Sequence, residues 1–190
     1  MPTLASIKAN QQAIGNWGNV MQLRPYQQDA VDSAIAWMRK STEPALLGLS
    51  TGAGKSHIAA AIALWITQKT GKKVLVLQPS KELTSQNFEK YLATGEKASI
   101  FSASANSKCT RHNVVYATPK TVLNSISRFG DAFACVIVDE CHMTTPTIKQ
   151  IIAHIAAKNP MLRVIGMTAT PYRMGTGYIY QYDATGERIS

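Results

Sequence analysis

The sequence predicts an α/β domain built on a mostly parallel sheet with helices on both faces. Three observations carry that expectation. Segments that are apolar at every position alternate with segments of helical spacing between Ala45 and Thr168, and strands of that kind need cover on both sides. A glycine-bearing turn, STGAGKS at Ser50–Ser56, separates the first apolar segment from a long apolar helical pattern. The chain has 190 residues and 45% hydrophobic content, enough for one domain with a real core and at most a small appendage.

Taken in order, residues 1–21 are polar and punctuated by Gly and Asn, which predicts a flexible N-terminal lead. From Pro25 to Lys40 the apolar positions Val31, Ala34, Ile35 and Met38 follow helical spacing, and Pro25 suits a first turn. ALLGLS, from Ala45, reads as a buried strand, and Ser56 to Thr70 as a helix ended by Gly71. KVLVLQ is a strand, and Lys81 to Leu92 a helix before Gly95. ASIFSA and NVVYAT are short strands, followed by a helix from Pro119 to Ser127. FACVIVD is a strand, Thr147 to Ala157 a helix, and RVIGMTA the last clear strand. The tail, MGTGYIYQYDATGERIS, reads as a linker or an edge segment. Trp37 and Trp65 fall on helical patterns and read as core or partly buried residues rather than base-stacking platforms.

The formal net charge is +9, with a pI near 9.6, which points to a polyanionic partner such as nucleic acid. Cys109, Cys135 and Cys141 lack C-x-x-C spacing and read as reduced thiols of a cytoplasmic protein. The N-terminus does not have the pattern of a signal peptide. The longest apolar run, Ile58 to Ile66, is too short to span a bilayer.

STGAGKS lies between a strand and a helix, the context of a phosphate cradle. Gly52 and Gly54 allow the backbone to aim successive N–H groups of the loop (Thr51, Gly52, Ala53, Gly54) at one point. Lys55 supplies a mobile cation for the β- and γ-phosphates of ATP. The Ser56 hydroxyl suits Mg²⁺. Leu49 stands where the commonest form of the motif has its first glycine. The bland alternative is a glycine-rich turn with a surface lysine. The second constellation is FACVIVDECH. A buried strand that delivers Asp139 and Glu140 to a sheet edge is costly unless the acids are used. Asp139 is the candidate metal ligand, and Glu140 the group that orients and deprotonates an attacking water. The alternative is an acidic turn after a strand. The sequence has no N-K-x-D guanine reader, and a water-activating glutamate beside a metal aspartate favours hydrolysis over transfer.

These motifs resemble those of the superfamily-two helicases and translocases of the DEAD/DEAH type, from Leu23 to about Tyr182. LRPYQ is similar to the adenine-reading Q motif, which implies Gln27 pairing with the base and Arg24 or Tyr26 packing near it. STGAGKS resembles motif I, LQPSKEL motif Ia, ATPKT motif Ib, DECH motif II and TAT (Thr168–Thr170) motif III. The details look most like bacterial RadD-type DNA-repair ATPases, while phage helicases and restriction-enzyme motor subunits share much of the pattern. Lys120 stands where RNA helicases of the DEAD-box type have a glycine, which points toward DNA rather than RNA. The resemblance implies a RecA-like lobe over 22–174 in which the motif III strand lies between the strands of motifs I and II. It implies that Thr168 and Thr170 sit beside His142 and couple the phosphate state to the nucleic-acid surface. It also implies phosphate contacts to the strand from Pro79, Ser80, Lys81, Thr118 and Lys120. Residues 175–190 would lead toward a second RecA-like lobe supplying an arginine finger, and Arg173 is not expected to be that finger. The expectation is therefore the first lobe of a longer ATP-hydrolysing motor, monomeric and poorly active by itself. Other readings are a nucleotide-responsive docking module, an ATPase completed by identical partners, or the motor lobe of a restriction enzyme.

Overall fold

The computed structural model describes residues 22–103, 107–170, 172–173 and 177–178. The lead over 1–21 and most of the tail after 173 lie outside the described residues.

The elements are α1 (Pro25–Lys40), β1 (Ala45–Gly48), α2 (Lys55–Thr70), β2 (Lys73–Leu77), α3 (Lys81–Leu92), β3 (Ala98–Ser102), β4 (Ser107–Lys108), β5 (Val114–Ala117), α4 (Pro119–Leu123), β6 (Phe133–Asp139), α5 (Pro146–Lys158) and β7 (Arg163–Thr168). A two-residue pair, β8 (Tyr172–Arg173) and β9 (Gly177–Tyr178), follows in antiparallel register. The helix expected over Pro119–Ser127 divides: α4 stops at Leu123 and a single 3-10 turn covers Ile126–Arg128.

The seven-stranded sheet runs β1-β7-β6-β2-β5-β3-β4. All of its pairings are parallel except β3–β4. The side chains of β2 show why its sequence is apolar throughout. Val74 and Val76 enter one core with α1 and α2, whereas Leu75 and Leu77 enter a second core with α5. β5 and β6 divide in the same way, with Tyr116 and Ile137 on the first side and Val115 and Val136 on the second. Helices therefore cover both faces, as the pattern required. α2 is apolar nearly all round because it is enclosed: Ile58 to Leu64 and Ile66 are buried, with α1 and α3 packed against it.

Two expectations need correction. ALLGLS is not a buried strand. β1 has a single neighbour, β7, and its side chains are only partly covered; an edge strand gains cover from one flank only. Trp37 is not core. It is 44% exposed and its indole N–H donates to the Glu43 carbonyl at 2.9 Å. Trp65 is partly buried, beneath the Arg39 guanidinium.

Candidate nucleotide site

Parallel strands bring their carboxyl ends to one edge, and ligands gather there where the strand order reverses. Here the carboxyl ends of β1, β7, β6 and β2 lie in that order. The loop after β1 and the acids after β6 are thus separated in space by one strand, β7, although distant in the chain.

Gly52 and Gly54 both adopt the left-handed conformation, with φ of 81° and 77°, in which a Cβ is disfavoured. Gly54 caps α2, so the free N–H groups of the first helical turn open onto the loop. Lys55 and Ser56 are the first two residues of that helix. The loop is also braced from α1. Gln27 is buried; its Nε2 donates to the Ala53 carbonyl at 2.9 Å and its Oε1 accepts from the Arg24 backbone N–H at 2.9 Å. The Tyr26 hydroxyl donates to the same Ala53 carbonyl at 3.2 Å. A Cβ on Gly54 would overlap the Gln27 amide. Gln27 therefore acts on the loop directly, a contact that the likeness to an adenine reader did not predict. Arg24 and Thr51 are exposed beside it.

Lys55 Nζ lies 2.7 Å from Glu140 Oε1, which joins the loop to the tip of β6. Glu140 adopts a left-handed backbone conformation, φ 48°, unusual for a residue with a side chain and costly by about 1–3 kcal/mol. The Asp139 carboxylate accepts the Glu140 backbone N–H at 3.0 Å. Asp139 is 7% exposed. Burial raises its carboxyl pKa above the usual range, and the Glu140 charge adds to this, against the opposing effects of the Glu140 N–H, Lys55 and the Gln78 amide. A desolvated carboxylate short of positive charge suits a divalent cation. Among the described residues no three His, Cys, Asp or Glu side chains converge to hold a metal unaided. Mg²⁺ fits such a site, since it commonly keeps waters and phosphate oxygens around one or two protein oxygens.

His142 Nδ1 is 2.8 Å from Thr168 Oγ1 and 3.3 Å from Glu140 Oε2. Thr168, fully buried, also accepts the Thr170 N–H on its hydroxyl at 3.0 Å. The chain from Lys55 through Glu140 and His142 to Thr168 and Thr170 is thus continuous. It depends on a residue overlooked in the sequence, Gly166 in β7. A Cβ there would come within 2.8 Å of Cys141 Sγ and push away the turn that carries His142. The signal was present, because an isolated glycine within a strand often marks a close approach.

The predicted strand-binding residues share the same edge. Ser80 and Thr118 precede α3 and α4, at the tips of the paired strands β2 and β5. The Ser80 hydroxyl accepts the Leu83 N–H at 3.2 Å as a helix cap, and Thr118 Oγ1 is 2.9 Å from Thr121 Oγ1. Pro79, Lys81 and Lys120 are exposed.

The family model described as "Type III restriction enzyme, res subunit" matches residues 20–173. The chain is 27% identical over 166 residues to the "ATP-dependent DNA helicase fml1" of Schizosaccharomyces pombe, covering 80% of this chain and 19% of that protein. It is 30% identical over 164 residues to the "Putative ATP-dependent RNA helicase MJ1505" of Methanocaldococcus jannaschii, covering 80% of this chain and 20% of that protein. It therefore spans about a fifth of the length of these curated relatives. Among solved structures, the Pyrococcus furiosus Hef helicase domain superposes with a TM-score of 0.65 at 25% identity, over 80% of this chain and 34% of that one. The UvsW helicase of bacteriophage T4 shares the fold, with a TM-score of 0.64 at 23% identity over 80% of this chain and 54% of that one. The chain belongs to the family described as type III restriction enzyme, res subunit, and is a first RecA-like lobe of the superfamily-two helicase type.

Proposed function

We propose that this lobe binds Mg·ATP and drives a nucleic-acid-dependent motor, a helicase or translocase acting on DNA. The observation that carries the reading is the 2.7 Å pair between Lys55 Nζ and Glu140 Oε1. It puts the loop cation and the candidate base at one point, beside the buried Asp139. In this reading the amides of Thr51, Gly52, Ala53 and Gly54 cradle the phosphates, and Lys55 neutralises them. Ser56 and Asp139 hold Mg²⁺, whose charge would offset that of the phosphate oxygens. Glu140 orients the attacking water and takes its proton. Arg24 and Gln27 border the adenine, and Gln27 retains one lone pair and one N–H beyond its backbone bonds. His142, Thr168 and Thr170 couple the site to a strand held by Pro79, Ser80, Lys81, Thr118 and Lys120. The DNA-helicase names among the relatives and the net charge of +9 support DNA; the family description supports a restriction-enzyme motor as a second reading. The lobe spans 22–174, with 1–21 a lead and 175–190 a linker to a second lobe of a cytoplasmic protein. By itself it is monomeric and turns over poorly.

Calorimetry of Mg·ATP binding to Lys55→Ala tests the reading. Loss of detectable binding is expected, and affinity equal to that of the unmodified chain would refute it.

A further inference from the structure

Beside the acid pair lies a cleft of about 310 Å³ between the tips of β2 and β6 and the start of α5. This is the lower end of the range for small-ligand sites, about 300–1,000 Å³. Its walls include Pro79, Pro119, Met143 and Ile148, and Met143 is 52% exposed. Gln78 also lines it. That residue is 1% exposed, and its Oε1 is buried with no hydrogen-bond partner. The other end of the same amide faces Asp139 and works to lower its carboxyl pKa. A buried acceptor left without a donor is costly, and a turn of this amide into the adjoining cleft would let a donor from outside meet it.

We propose that this cleft is a nucleobase subsite, for a base whose exocyclic amino group donates to Gln78 Oε1. Three features select that ligand. The free atom is an acceptor. Asp139 and Glu140 also line the cleft, so a neutral N–H donor is favoured there over an anion that arrives without a cation. The apolar walls suit the faces of a flat ring, as apolar side chains do around extruded bases. Pro79 and Pro119 lead directly into Ser80 and Lys120, so the base would belong to the strand whose phosphates those residues contact. The inference rests on that part of the proposed function. It adds base discrimination to phosphate contacts that carry none. It also supplies a second route from strand to nucleotide, because an occupied Gln78 amide orients the Asp139 carboxylate through its other end.

Fluorescence anisotropy with labelled oligo-dC, oligo-dU and an abasic strand of equal length tests this. Cytosine and uracil have nearly the same size; cytosine carries an exocyclic amino group where uracil has a carbonyl, and its N3 accepts where that of uracil donates. The chain should bind oligo-dC about three- to tenfold more tightly than oligo-dU, the range for one neutral hydrogen bond. Gln78→Met should abolish the difference. Met143→Ala, at an exposed wall and safe for folding, should weaken oligo-dC binding but leave the abasic strand unchanged. Salt-sensitive binding that ignores the base would overturn the subsite while preserving the phosphate contacts. Failure of every strand to bind would overturn both. A cytosine preference that survives in a folded Gln78→Met variant would overturn the role of Gln78.

Discussion

Replacing Glu140 with glutamine should tighten Mg·ATP binding. Lys55 has three N–H donors, but its ammonium is drawn to Glu140 at 2.7 Å, so the carboxylate competes with the nucleotide's phosphate oxygens for its position and charge. The side chains are 14% and 26% exposed. That places the pair between a solvent-exposed ion pair, worth about 0–1 kcal/mol, and a charge-assisted hydrogen bond, worth about 1.5–3 kcal/mol. Glutamine keeps an acceptor for Lys55 but removes the charge, so the competition should fall by about 1 kcal/mol, or roughly fivefold in affinity. Lower repulsion between residue 140 and the phosphates acts in the same direction. Calorimetric titration of the unmodified chain and Glu140→Gln with Mg·ATP measures the effect. Any turnover followed on the same samples should fall, since the amide takes no proton from water. Unchanged or weaker affinity would show that Glu140 does not restrain Lys55, and the argument from the pair would be wrong.

Gly54→Ala should destabilise the chain by about 2–3 kcal/mol, combining a left-handed backbone cost of about 1–2 kcal/mol with loss of the Gln27–Ala53 bond at about 1 kcal/mol. Tm should fall by about 5–10 °C; a drop under about 2 °C would contradict the overlap with Gln27. Asp139→Asn should raise Tm and weaken Mg·ATP binding. Burial raises the Asp139 carboxyl pKa, so its charged form costs stability at neutral pH, a cost that disappears as pH falls through the folded-state pKa; a lower Tm for the variant would refute this. Cys109 is partly exposed, and hydrogen bonds from Ser99 and the Arg111 backbone, together with nearby Arg111 and Arg128, lower its thiol pKa, whereas burial raises that of Cys135. Iodoacetamide at neutral pH should label Cys109 first and Cys135 last, by mass spectrometry of peptides; equal rates would contradict the assignment.

Much of the architecture was legible in the linear pattern. Helix α1 begins and ends where periodicity and Pro25 put it, and helix α3 covers the Lys81–Leu92 span read from the sequence. Gly71 ends α2 because it adopts the left-handed conformation that stops a helix. The strands β2, β5 and β6 announced two-sided burial by carrying no polar position between their ends. The phosphate loop and the acid pair were readable for the same reason: each is local, and its residues are consecutive.

Apart from the β1-β7-β6 order that the resemblance implied, the tertiary structure decided what depends on which strands are neighbours. Local spacing does not record sheet order, so it could not place β1 at an edge or bring Lys55 to Glu140. Nor could it bind Gln27 to the loop across 26 residues, or set Gly166 against Cys141. Gln78 looked like the end of an apolar strand; only packing around it turned one end of its amide toward Asp139 and left the other without a partner. Short-range preferences act along the chain, whereas the contacts that assemble this site form between segments that meet only once the sheet has closed.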